Sequence, residues 1–186
     1  MRIVGGRLRG RALVALSDLA IRPTSDRVRE AVFNILAHGA AAVEMEGARV
    51  IDLFAGTGAL AFEAVSRGAA YALLVEESAE ARGLIRENIE ALGLTGCTRI
   101  FRRDATDLGP AGNIAPFGLA FLDPPYGKGL ADKALLALIN GGWLRPGAGV
   151  VVEENEGVEV AVPAVLTILD RRIYGDTQIM FLRRDP

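Results

Sequence analysis

An α/β fold built on an open, mostly parallel sheet with one antiparallel strand is the architecture this sequence predicts. Three observations lead there. Short apolar runs alternate with amphipathic stretches through the middle of the chain. A glycine closes one such stretch after another, at Gly39, Gly68 and Gly93. The last two apolar runs are joined only around Gly175-Asp176, which makes them a terminal hairpin.

Taken in order, residues 1–4 and 12–16 flank Gly5, Gly6 and Gly10 and read as a small N-terminal β-hairpin with a basic loop. Pro23 followed by Thr24, Ser25 and Asp26 is a helix start with three N-cap candidates. Val28, Ala31, Val32, Ile35 and Leu36 then recur at helical spacing, with Arg27, Glu30 and Asn34 on the other face. Residues 49–53 form a buried strand, 59–67 a helix, and 71–75 the next strand. Ser78 caps a helix to Leu92 that turns Leu84, Ile85, Ile89 and Leu92 inward. Residues 98–102 and 119–122 are the third and fourth strands, 130–140 a helix and 149–153 the fifth strand. Residues 165–174 and 177–183 complete the sheet.

Length and composition narrow the chemistry. At 186 residues the chain fits one domain, 1–186, with 1–20 a basic hairpin extension and 21–186 the catalytic core. No apolar run reaches the roughly 20 residues that span a bilayer, and the arginine-rich start lacks a signal peptide's apolar segment. A soluble, cytoplasmic protein is expected. Cys97 and His38 are the only residues of their types. That removes disulfides, histidine triads, Cys–His dyads and Cys- or His-rich metal sites, so no metal is expected. Chemistry is left to carboxylates, backbone groups and a cofactor. The net charge is only −2, but the first seventeen residues carry Arg2, Arg7, Arg9 and Arg11 and no acid. Arg22 and Arg27 follow, and Lys128 and Lys133 are the sole lysines. Guanidinium groups suit phosphate, so Arg7, Arg9, Arg11, Arg22 and Arg27 are the candidate nucleic-acid contacts.

Two constellations carry chemistry. In Asp52-Leu53-Phe54-Ala55-Gly56-Thr57-Gly58-Ala59, a strand enters a glycine turn and then a helix. Gly56 and Gly58 let backbone approach a ligand at the sheet's C-terminal edge, and Glu76 has the spacing of an acid that grips ribose hydroxyls. NAD and S-adenosylmethionine both satisfy that pattern. Asp52 favours the second, because an acid suits the cationic methionine end and not a pyrophosphate. Asp104-Ala105, past the third strand, offers a further acid for an adenine amino group or, equally, a helix cap.

The second constellation is Asp123-Pro124-Pro125-Tyr126 at the tip of the fourth strand. Two prolines remove N–H donors and fix φ. The Asp123 carboxylate and Pro124 carbonyl are thereby free to hold the hydrogens of an aryl-type amine and turn its lone pair toward a methyl group. Tyr126 supplies a stacking face for an extruded base.

Asp-Pro-Pro-Tyr after an Asp-x-Phe-x-Gly-x-Gly strand resembles the amino-methyltransferases of DNA and RNA. Met1-Arg2-Ile3-Val4-Gly5-Gly6 with Gly10-Arg11, then residues 22–36 from Arg22-Pro23-Thr24-Ser25-Asp26-Arg27 onward, is similar to one family in particular. That family is the 16S ribosomal RNA guanine-N2 methyltransferases (RsmD-like), which act at guanine 966 of the small-subunit RNA. Arg172-Ile173-Tyr174-Gly175-Asp176-Thr177 also looks familial. The resemblance implies a Rossmann-like class I methyltransferase with a seven-stranded sheet. It implies S-adenosylmethionine near Asp52, Phe54, Gly56, Gly58, Glu76, Asp104, Ala105 and Thr24, with S-adenosylhomocysteine as product. It implies residues 22–27 closing over the cofactor or the base. The implied partner is 16S rRNA within a partly assembled small subunit, and a monomer is expected. N6-adenine methylation of DNA, methylation of a protein glutamine (which would be expected with Asn at 123), a nicotinamide-dependent oxidoreductase and a non-catalytic RNA-binding factor are the competing readings.

Overall fold

The computed structural model describes residues 1–15 and 25–186. Its four helices among the described residues are α1 (Asp26–His38), α2 (Ala59–Ser66), α3 (Ala79–Leu92) and α4 (Leu130–Asn140). The strands are β1 (Arg49–Leu53), β2 (Tyr71–Val75), β3 (Thr98–Phe101), β4 (Phe117–Leu122), β5 (Leu144–Asn155), β6 (Leu166–Tyr174) and β7 (Thr177–Arg184). They form one seven-stranded sheet in the order β3-β2-β1-β4-β5-β7-β6. Pairing is parallel from β3 through β5, and β7 runs antiparallel to both β5 and β6. One strand of seven is therefore reversed, as expected.

Both sheet faces are covered, which is why the central strands read as continuous apolar runs. Val50, Leu74, Leu119 and Phe121 share one core with Phe33 of α1, Phe62 of α2 and Ile85 of α3. Ile51, Leu53, Leu73, Ala120 and Leu122 share the other with Leu135 and Leu138 of α4 and with Trp143. The alternation of Val50, Ile51 and Leu53 between cores is the period-two signature of a strand.

Three expectations change in detail. The N-terminal hairpin shortens to a single antiparallel bridge, Arg2 with Ala12, around a 3-10 turn at Gly6–Leu8. Ile3, Leu8 and Leu13 from it are buried in the first core, and the Ser66 hydroxyl donates to Gly5 O (2.6 Å) and accepts from Leu8 N (2.9 Å). The segment is thus built into the body of the fold. On α1, which Ser25 caps through Val28 N (3.2 Å), the buried stripe is Arg29, Val32, Phe33 and Leu36. Val28, Ala31 and Ile35 are only half-buried. The helix is rotated from the apolar reading because Arg29 is taken inside by Glu63, 3.7 Å away across α2. Finally, β5 begins five residues earlier than expected. The register between β4 and β5 slips between Phe117 and Leu119, and exposed Arg145-Pro146-Gly147 bulges out of it.

Candidate active site

Strand register positions the site. Leu53 at the end of β1 pairs with Val75 of β2 on one side and Leu122 of β4 on the other, and Val75 pairs with Phe101 of β3. The loops that leave these strands at Phe54, Glu76, Arg102 and Asp123 therefore emerge side by side at one edge. The chain runs outward from β1 to β3 and then returns across β1 to β4, so β1 and β4 flank the reversal of strand order. Open α/β sheets bind ligands at such a point. A cavity of about 480 Å³ lies at this edge, lined by Phe54, Glu76, Asp104, Ala105, Pro125 and Leu130 among others. That is within the usual span of small-molecule clefts, roughly 300–1,000 Å³.

The glycine turn is shaped for close approach. Phe54 has φ +61°, the one non-glycine residue with positive φ among those described. A side chain held there is strained, and such strain collects at ligand sites. Gly58 has φ +82°, and a Cβ on it would stand 2.5 Å from the Phe62 ring and 2.8 Å from Leu74. Only glycine permits α2 to start so close to the sheet. With no side chain at its N-cap, α2 is capped from outside: Asp52 accepts from Ala61 N at 3.2 Å.

That places Asp52 beneath the turn, 1% exposed and outside the cavity lining. Burial, with a smaller contribution from nearby Glu76, pushes its carboxyl well above the ordinary range, against the Ala61 N–H. There it supports the start of α2. Glu76 does line the cavity, and its two oxygens accept from Gly56 N (2.9 Å) and Ser78 N (2.8 Å). The same carboxylate links both sides of the cleft and keeps lone pairs for hydroxyls. Asp104 accepts from the Thr106 N–H (2.8 Å) and hydroxyl (2.7 Å), which hold its carboxyl below the usual range. It is therefore ionised at neutral pH.

On the β4 side, Asp123 is half-buried, Pro124 buried, and Pro125 exposed on the cavity wall. Tyr126 is half-buried and donates its hydroxyl to Glu153. Burial, the Glu153 bond and the charges of Glu153 and Asp123 push the phenol far above its ordinary range, so it stays protonated. Gly127 N donates to Glu154 Oε1 at 2.9 Å. The sequence reading missed Glu153 and Glu154. Two acids ending the run Val150-Val151-Val152 on a buried strand were the available signal.

The arginines spread over another face. Arg7, Arg9, Arg11 and Arg27 are exposed, and Arg11 also donates to Ala91 O. Arg2, Arg9 and Arg27 line a groove of about 410 Å³, where Asp26 and Glu30 oppose them. Thr24 and Arg22, and with them residues 22–24 of the expected closing segment, lie outside the described residues. Val14 is held by Asn88, whose Nδ2 also donates to Thr57 O (3.1 Å) in the glycine turn. Among the described residues no group of acids, histidines and cysteine is arranged to hold a metal ion. No helix among the described residues is long and apolar enough to cross a membrane.

A doubly covered sheet with a glycine turn after β1 and Asp-Pro-Pro-Tyr after β4 defines a class I, Rossmann-like methyltransferase fold. Solved structures agree: yhhF from Escherichia coli matches with a TM-score of 0.85 and 31% identity, covering 100% of this chain and 98% of that one. HI0767 from Haemophilus influenzae matches at 0.83 and 28%, covering 100% and 99%.

The particular family follows from sequence. The family described as conserved hypothetical protein 95 matches residues 1–183, and the chain belongs to it as an RsmD-like methyltransferase. The chain is 35% identical to ribosomal RNA small subunit methyltransferase D of Escherichia coli over 100% of its own length and 90% of that protein's. It is 32% identical to the Haemophilus influenzae enzyme of the same name, over 94% and 89%.

Proposed function

We propose that this chain methylates the exocyclic N2 amine of a guanine in small-subunit rRNA, the position equivalent to guanine 966 of 16S RNA, with S-adenosylmethionine as donor. The observation that carries the reading is the Leu53–Leu122 pairing, which sets the Asp-Pro-Pro-Tyr loop against the cavity that the glycine turn opens. The names of the relatives support an rRNA substrate.

The residues present fit the cofactor: an ionised Asp104, a Glu76 carboxylate and the left-handed turn through Phe54, Gly56 and Gly58 stand at a cavity of suitable size. Bound there, S-adenosylmethionine supplies an electrophilic methyl group on a sulfonium. Glu76 would hold the ribose hydroxyls and Asp104, with the Ala105 backbone, the adenine edge. Asp123 and the Pro124 carbonyl would accept the two amine hydrogens, which localises the nitrogen lone pair. Asp123 would also accept the proton that the nitrogen sheds once alkylated. Tyr126 would stack on the flipped base, and its protonated state excludes it as the base catalyst. Orientation and fixed electrostatics supply the rate. Exposed Arg7, Arg9, Arg11 and Arg27, together with Arg22, would contact phosphates of the assembled subunit. The enzyme would act as a cytoplasmic monomer with no metal.

The test is incubation with labelled S-adenosylmethionine and small subunits that lack the modification, followed by mass mapping of the nucleosides. One N2-methylguanosine is expected. Label on adenine, on DNA alone or on no nucleic acid would overturn the reading.

A further inference from the structure

The Tyr174-Gly175-Asp176-Thr177 turn is singled out by the sequence yet has no part in the chemistry above. It is not remote from it. Thr177 opens β7 opposite Asn155, the last residue of β5, and Glu156 N donates to Asp176 O at 2.8 Å. Gln178 Nε2 donates to Asn155 O at 2.8 Å, which fastens the same end of β5. Two residues before Asn155 on the same strand, Glu153 Oε1 accepts from the Tyr126 phenol. One residue further along β5, Glu154 Oε1 accepts from both Gly127 N and Asn155 N (2.8 Å). Successive strand residues face opposite sides of a sheet, so these two buried carboxylates take hold of the loop from two directions.

The loop needs holding. Gly127 and Gly129, at φ +69° and +65°, follow Tyr126 directly. A ring tethered only at its Cβ would rotate, and a rotating ring makes a poor wall for a base. Fixing the hydroxyl at its far end immobilises the ring before substrate arrives. We propose that Glu153 is a positioning residue for target-base capture, acting through the Tyr126 hydroxyl. The proposal rests on the reading that this site methylates a nucleic-acid base.

The test is a double-mutant cycle on the full chain, with unmodified small subunits and S-adenosylmethionine as substrates. Tyr126→Phe and Glu153→Ala should each raise KM for the subunit about ten-fold, while KM for S-adenosylmethionine and affinity for S-adenosylhomocysteine stay at wild type. Tyr126→Phe combined with Glu153→Ala should be no worse than the poorer single variant, because both remove one hydrogen bond. Glu153→Gln, which keeps an acceptor for the phenol, should restore most of the loss. Multiplying effects, or losses confined to cofactor KM or to thermal stability, would overturn the clamp while leaving the methyl transfer intact. Wild-type enzyme that labels no subunit would overturn the proposed function itself and the clamp with it. If Glu153→Ala does not fold, Glu153→Leu, which fills a similar volume and accepts no hydrogen bond, carries the same cycle with Tyr126→Phe.

Discussion

The two ends of α2 treat a buried carboxylate in opposite ways. At its last turn Glu63 is completely enclosed and fully engaged: Arg67 Nε lies 2.7 Å away, Val4 N 2.9 Å and Arg29 Nε 3.7 Å. Arg29 also donates to Asp26 Oδ1 (2.8 Å) and to Arg2 O, and the Arg67 guanidinium stacks over the Phe33 ring. At the first turn Asp52 is just as deeply buried, and the hydrogen bond identified there is one N–H from Ala61. A buried charge is tolerable when it is paired and hydrogen-bonded, and costly otherwise. The far end of α2 is therefore a compensated scaffold that locks the N-terminal segment, α1 and α2 together. The near end, under the glycine turn, carries electrostatic tension. The comparison teaches that stability and chemistry are separated along a single helix.

Substitutions at each end can break that separation. The largest effect on stability is expected from Glu63→Gln, which leaves Arg29 enclosed with less opposing charge. The fold should lose about 3 kcal/mol, read from urea unfolding, whereas the affinity of the surviving folded protein for S-adenosylhomocysteine should not change. A loss of affinity without a loss of stability would erase the distinction between the two ends. Asp123→Ala should do the reverse. Methyl transfer should fall by roughly 10²–10³-fold, the typical value of one oriented polar group, with cofactor affinity and unfolding midpoint near wild type. Unchanged turnover would remove Asp123 from the site.

A smaller effect tests the near end directly. Burial raises the Asp52 pKa in the folded state, so the folded protein keeps that proton to higher pH than the unfolded chain does. Its contribution to stability is then complete below about pH 4 and is lost as pH rises toward the folded-state value. Asp52→Asn keeps an acceptor for Ala61 N and cannot ionise. It should be more stable than wild type by on the order of 1 kcal/mol at pH 8, with the gap closing near pH 4. A gap independent of pH would mean that Asp52 is not under strain. The smallest effect is expected on the arginine face. Arg9→Ala should weaken subunit binding and flatten its dependence on log salt by about one unit, and an unaltered slope would assign Arg9 to the solvent.

Much of this was readable before any coordinates. The limits of β1, β2 and α4, and the Ser78 cap of α3, follow from local pattern, because periodicity and capping act within a few residues. The placing of Gly58, Glu76, Asp104 and Asp123 at one edge follows from strand ends in a parallel sheet. What stayed hidden depends on contacts far apart in sequence. An arginine inside α1 cannot be inferred until Glu63 is seen beside it, and with it the buried face turns toward Arg29 and Phe33 while the helical period stands. The hold of Glu153 on Tyr126 spans 27 positions. Asn88 reads as an ordinary helix residue until its amide is found joining Val14 to Thr57. The hairpin promised by Gly5, Gly6 and Gly10 contracts because residues 3, 8 and 13 are drawn into the core, which a two-stranded ladder would not permit at every position.

The central claim is that glycine turn and proline loop form one site with a shared ligand. A crystal structure with S-adenosylhomocysteine tests it most directly. The account predicts the nucleoside between Glu76 and Asp104 and the sulfur turned toward Asp123. A ligand bound elsewhere, or one whose sulfur faces away from the proline loop, would contradict it.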